Sequence, residues 1–249
     1  MTTANRQKIV AGNWKENGSL ALVESITKGL NNISLDTVEV IVCPPFPYLI
    51  SASKSEAIAI GAQDIALHAE GAHTGDVSGT MLAEVGCKYV IVGHSERRQD
   101  HAESNEAVAI KAQNALDAGL TPIICFGEPE SVREDGSLND YLKAQLEPVI
   151  AKLGITNLSN VVLAYEPTWA IGTGKTASPE QAQEVHKFVR EFIAAQNADV
   201  AEAVSILYGG SVKPANAQEL FSQNDIDGGL IGGASLDLDS FVAICQAAE

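Results

Sequence analysis

The chain has 249 residues, of which 32 are acidic and 16 basic, so the formal charge at neutral pH is −16. At about 150 residues per domain that is fewer than two domains, a size that single α/β barrels routinely reach. A 45% hydrophobic content supplies a large core and excludes disorder, while so acidic a surface lacks the basic footprint of a nucleic-acid binder and is repelled by anionic membranes.

Short apolar, β-branched runs recur along the whole chain, at 8–12, 38–43, 59–63, 88–93, 121–126, 160–165, 205–209 and 229–232. They are continuous rather than alternating, as parallel strands covered on both faces should be. Helical patterns lie between them. The clearest opens at Ser178 with Pro179 and Gln181, an N-cap, a first-turn proline and a capping box. Its apolar stripe is Ala182, Val185, Phe188, Val189, Phe192 and Ile193. Eight such units without a break in composition predict one closed (β/α)8 barrel spanning 1–249; an open doubly wound sheet is the alternative.

In a barrel, chemistry gathers on the loops after the strands' C-terminal ends. Asn13 and Lys15 follow the first run, His94 and Glu96 the fourth, Glu166 the sixth, Ser211 the seventh, and Gly232 and Gly233 the eighth. A lone lysine after a strand is usually solvated, but Trp14 beside Lys15 argues for partial burial, and the ammonium then needs an anion: a ligand or Glu96. His94 reads either as a structural histidine or as a neutral imidazole, its pKa lowered by a helix that Ser95 would cap. Glu166, at the end of an apolar strand and before Pro167, reads as a carboxylate made more basic by burial. Neutral imidazole and carboxylate together suit proton transfer.

The segment 167–177 contains G-x-G-x-x-A and ends in Gly-Lys-Thr. It follows the strand too late for a dinucleotide fingerprint and has Trp169 where a P-loop needs glycine. With Trp169 and Ile171 at its middle and Gly172 and Gly174 beyond, it reads as a lid whose apolar tip closes over a ligand. The glycines around 232–235 allow tight turns, or they offer backbone amides to a phosphate. The five histidines and four cysteines lack metal-ligand spacing, and Cys125 is expected to pack behind the site. The first eight residues and the short apolar run after them are unlike a signal peptide, and no stretch approaches roughly 18 apolar residues. A cytoplasmic protein with reduced, buried thiols is expected.

The segments Gly12-Asn13-Trp14-Lys15, Val92 to Arg98, Ala164 to Lys175 and Tyr208 to Ser211 closely resemble the signature segments of the triosephosphate isomerases. The resemblance implies interconversion of dihydroxyacetone phosphate and D-glyceraldehyde 3-phosphate without metal or organic cofactor. By it, Glu166 is the base, His94 the electrophile, Asn13 and Lys15 stabilise the enediolate, and Glu96 orients Lys15. Gly172, Ser211, Gly232 and Gly233 bind the phosphate, and 167–177 is the lid. It also implies a homodimer in which the loop 71–78 enters the partner's site, Thr74 reaching Asn13 and Asp76 pairing with Arg97 there. Glu16, His73 and Asp76 depart from the family pattern; the first two read either as a compensating contact across the dimer or as solvated rim residues. Another phosphate-binding barrel, a dehydrogenase and a catalytically dead binding module are the competing readings.

Overall fold

The computed structural model describes residues 6–55 and 58–249. Eight parallel strands close into a barrel in sequence order. They are β1 Lys8–Asn13, β2 Val38–Cys43, β3 Ala59–Ala62, β4 Tyr89–Val92, β5 Thr121–Phe126, β6 Val162–Tyr165, β7 Ser205–Tyr208 and β8 Gly228–Ile231. The expected barrel is therefore present, and the open sheet is ruled out by the β1–β8 ladder that pairs Gly12 with Ile231.

The strand period of two explains the core. Ile9, Ala11, Ile41, Cys43, Ile123, Cys125 and Leu207 belong to one buried cluster inside the barrel. Their strand neighbours Val10, Val40, Val42 and Ile206 join the larger cluster between sheet and helices. Both faces of each strand are thus apolar, so the sequence shows runs where a half-exposed strand would show alternation. All four cysteines are buried free thiols.

The helix Pro179–Ala194 has the expected capping box, with Ser178 Oγ accepting from Gln181 N at 3.2 Å and Gln181 Oε1 accepting from Ser178 N at 2.9 Å. Ala182, Val185, Val189 and Ile193 are buried, while Phe188 and Phe192 are half-buried at the edge of the stripe. His186 and Arg190 are buried on the same helix. Arg190 donates to Asp227 at 2.7 Å, and Asp227 also accepts from Arg6 at 2.7 Å and from Ile206 N at 2.9 Å. This buried charge cluster fixes the N-terminal end of β7 and β8, opposite the loops that carry the candidate residues. Gly228 beside it has φ +129°, and a Cβ there would lie 1.9 Å from Ile9 O, so closure of the barrel requires glycine. Among the described residues no helix is long and apolar enough to cross a membrane.

Candidate active site

A cavity of about 460 Å³ opens at the C-terminal end of the strands. Asn13, Lys15, His94, Glu166, Ile171, Gly172, Ser211, Gly232 and Gly233 all line it. Segments from both ends of the chain meet there because β1 is hydrogen-bonded to β8. Glu96 lies outside this lining and reaches it through an ion pair with the Lys15 ammonium.

Glu166 continues the β5–β6 ladder, its amide donating to Phe126 O at 2.7 Å. Its side chain is 2% exposed, with Oε1 at 2.8 Å from His94 Nε2 and Oε2 accepting from Ser95 N at 2.9 Å. Burial alone would make this carboxylate more basic, but the imidazole, the Ser95 amide and Lys15 outweigh it and hold its pKa below the ordinary value. The expected rise is therefore not met in this conformation. Cys125 packs behind it, and burial together with the Glu166 charge keeps the thiol well above its usual pKa, hence protonated.

His94, not Ser95, caps the helix Ser95–Asp100: its Nδ1 accepts from Glu96 N at 3.3 Å. An Nδ1 that accepts an amide proton leaves the ring proton of a neutral imidazole on Nε2, facing Glu166. Burial opposes protonation of the ring, but the Glu166 carboxylate prevails and raises the pKa, so the expected lowering by the helix is also not met here. Both corrections have one cause. Sequence exposes the local helix and the local burial; it does not expose a 2.8 Å contact between residues of β4 and β6 loops.

Lys15 occupies the left-handed region at φ +53°. Two side chains hold it there: Asn13 Oδ1 accepts from Lys15 N at 3.0 Å, and Gln63 Nε2 donates to Lys15 O at 2.9 Å and Cys43 O at 2.8 Å. Such a non-glycine conformation costs on the order of 1–3 kcal/mol and persists where its surroundings over-determine it. Beside the Lys15 side chain, a single turn of 3₁₀-helix, Gly233–Leu236, starts next to Gly232. Ser235 is buried and donates to Gly232 O at 2.7 Å, which fixes the turn. The first amides of such a turn have no intrahelical partner and are available to an anion.

The lid differs from expectation in one respect. Trp169 is not at its tip. It sits in the turn Thr168–Ala170, where its indole donates to Glu128 Oε1 at 2.9 Å and the Arg133 guanidinium lies 5.4 Å above its ring. Thr168 N and Oγ1 both donate to Glu128 O, at 3.1 and 2.9 Å. The exposed tip is 172–176, with Gly172 and Gly174 at φ +69° and +81°. Lys175 there pairs with Glu130 at 2.5 Å. Glu128 and Gln63 were not foreseen. Glu128 stands two residues after β5, so the same strand-end rule could have found it.

In the loop 71–78, residues 71–76 are exposed, and the His73 ring stacks on His68 with centroids 3.7 Å apart. Arg97 is already paired in its own chain, with Asp64 at 2.8 Å and Glu103 at 2.6 Å.

The family model described as triosephosphate isomerase matches residues 8–248. A triosephosphate isomerase of Pseudoalteromonas translucida (strain TAC 125) is 52% identical over 246 residues, covering 99% of this chain and 98% of the relative. One of Thiobacillus denitrificans is 55% identical over 246 residues, covering 98% and 99%. One of Hydrogenovibrio crunogenus is 54% identical over 249 residues, covering 98% of each. With a closed eight-stranded barrel, a full-length family match and relatives above half identity, the chain belongs to the triosephosphate isomerase family.

Proposed function

We propose that Glu166, His94, Asn13 and Lys15 carry the isomerisation of triose phosphates in this chain. The observation that supports this most strongly is the convergence of Glu166, His94 and Lys15 on one cavity that also holds Gly172, Ser211, Gly232 and Gly233. Glu166 removes a proton from the carbon beside the substrate carbonyl, and the electron pair passes to the carbonyl oxygen to give an enediolate. His94 Nε2–H donates to that oxygen and moves protons between the two oxygens. The proton then returns from Glu166 to the neighbouring carbon, completing the interconversion of dihydroxyacetone phosphate and D-glyceraldehyde 3-phosphate.

Lys15 and Asn13 stabilise the developing negative charge, a role in which one preorganised donor is worth about 3 kcal/mol. Glu96 orients the ammonium. The amides of Gly172, Gly232 and Gly233, with the Ser211 hydroxyl, take the phosphate without adding arginines to an acidic surface. Closure of 167–177 excludes water, so the enediolate returns its proton rather than expelling phosphate. The steps call for no metal or organic cofactor.

Residues 1–249 act as one cytoplasmic domain, and the partner is a second copy of the chain. Its loop 71–78 carries Thr74 toward Asn13, and Asp76 joins the Arg97 cluster. His73, already stacked on His68, meets Glu16 of the other copy. Sedimentation of the native chain and of Glu16→Ala tests that contact: weaker association of the variant is expected, and equal affinity removes it.

A coupled assay of glyceraldehyde 3-phosphate conversion without added metal or cofactor tests the whole reading. Turnover is expected for the native chain and its collapse for Glu166 variants. A different phosphate-binding barrel would not turn this substrate over, and a dehydrogenase would bind nicotinamide in a fluorescence titration.

A further inference from the structure

The ligand of this cavity is a phosphate dianion, while the chain itself carries a formal charge of −16. Such a body repels its own substrate unless the cavity mouth reverses the local sign. Three lysines stand around the mouth, and two are neutralised: Lys15 pairs with Glu96, and Lys175 on the lid pairs with Glu130. Lys213 is the exception. It lines the cavity beside Ser211, Gly232 and Gly233, is exposed, and forms no ion pair among the described residues.

The backbone around Lys213 is pinned. Lys213 N donates to Asn216 Oδ1 at 2.7 Å, Asn216 Nδ2 donates to Ser211 O at 3.2 Å, and Pro214 opens the helix Pro214–Phe221. The root of the side chain is therefore fixed on the side of the mouth nearest Ser211, while its flexible stem leaves the ammonium free to follow a ligand.

We propose that Lys213 is the entry cation of the site. It draws the phosphate end of the substrate to the cavity and turns it toward Ser211 and the glycine amides, without touching the reacting carbons. Charge placed at the rim of a concave site acts mainly on association, and it fades as salt screens it. The inference rests on the assignment of this side of the cavity to the phosphate.

The test compares Lys213→Gln, Lys213→Glu and Lys213→Arg with the native chain at ionic strengths of about 10 mM and 0.5 M. At the lower value kcat/KM is expected to fall about fivefold for Lys213→Gln and further for Lys213→Glu, with Lys213→Arg close to native. At the higher value the four proteins should converge. Inorganic phosphate, used as a competitive inhibitor, should bind Lys213→Gln more weakly by a similar factor at low salt. Unchanged kcat/KM and phosphate inhibition, a loss that persists in high salt, or failure of arginine to rescue would each overturn the proposal. Glu166→Asp run alongside separates the two readings. Native turnover in that variant defeats the assignment of the chemistry, whereas its collapse beside a silent Lys213→Gln defeats only the entry role.

Discussion

His94 Nε2 and Glu166 Oε1 stand 2.8 Å apart, with side chains 7% and 2% exposed. The proposed electrophile and the proposed base are therefore paired with each other, and Ser95 N holds the second carboxylate oxygen. A carboxylate so satisfied is a weak base. Leaving these partners for a substrate carbon removes what lowers its pKa while burial remains, so basicity rises at the point of use. The substrate carbonyl then accepts the Nε2–H hydrogen bond that Glu166 leaves.

Shortening that base by one methylene tests its placement. Glu166→Asp keeps the charge but withdraws the carboxylate by about 1 Å, which costs on the order of a hundredfold in rate. Turnover is expected to fall by that order with the Michaelis constant nearly unchanged, measured by the coupled assay. Near-native turnover would remove Glu166 from its role.

Gly209 constrains the same side chain from the next strand. A Cβ at 209 would lie 2.9 Å from Glu166 Cγ and 3.0 Å from Tyr165 O, closer than the neighbours tolerate without shifting. Gly209→Ala should therefore push the carboxylate aside and lower kcat about tenfold or more while circular dichroism stays native. Unaltered kcat would mean that Glu166 has room to spare.

The barrel was legible in the sequence because strands buried on both faces leave continuous apolar runs. The runs at 38–43 and 121–126 coincide with β2 and β5. Other ends differ by one or two residues, as at β6, which starts at Val162 rather than 160. The site residues were legible because they lie at the C-terminal end of a strand, as Asn13 does in β1, or on the loop that follows one. What sequence could not supply was the identity of non-local partners. Trp169 read as an apolar tip because its hydrophobicity is visible and its hydrogen bond to Glu128 is not. Ser95 is the better N-cap by residue type, yet the His94 Nδ1 reaches the Glu96 amide first. The pKa directions of His94 and Glu166 depend on each other's position, which no local pattern encodes.

Glu128 makes the lid's anchor a charged one. Its side chain is fully buried, and Oε1 accepts from Tyr165 Oη and Trp169 Nε1, each at 2.9 Å, with Arg133 Nη1 at 3.4 Å. Trp169→Phe keeps most of the apolar contact and deletes one hydrogen bond to a charged acceptor, a loss of about 2 kcal/mol. Amide hydrogen exchange over 168–176 is expected to accelerate, with little change elsewhere in the barrel. Equal exchange in both proteins would show that the indole does not restrain the lid.

His186 makes the stability of the fold sensitive to acid. Its ring is fully buried edge-on to Tyr165, Nδ1 lies 3.2 Å from Asp225 O, and Nε2 has no hydrogen-bond partner among the described residues. Burial lowers its pKa from 6.5 to about 3. In the unfolded chain the imidazole regains its ordinary value, so between about pH 6.5 and 3 the unfolded state binds a proton that the native state refuses. Stability is therefore whole above about pH 6.5 and is lost by about 1.4 kcal/mol for each pH unit below it. His186→Gln retains an amide donor for Asp225 O and has nothing to titrate. Urea unfolding at pH 7 and 4.5 should show the native chain losing about 2–3 kcal/mol more than the variant over that interval, whatever the variant costs at neutrality. Parallel losses in the two proteins would mean that the ring is protonated in the folded chain, and that Nε2 finds an acceptor there.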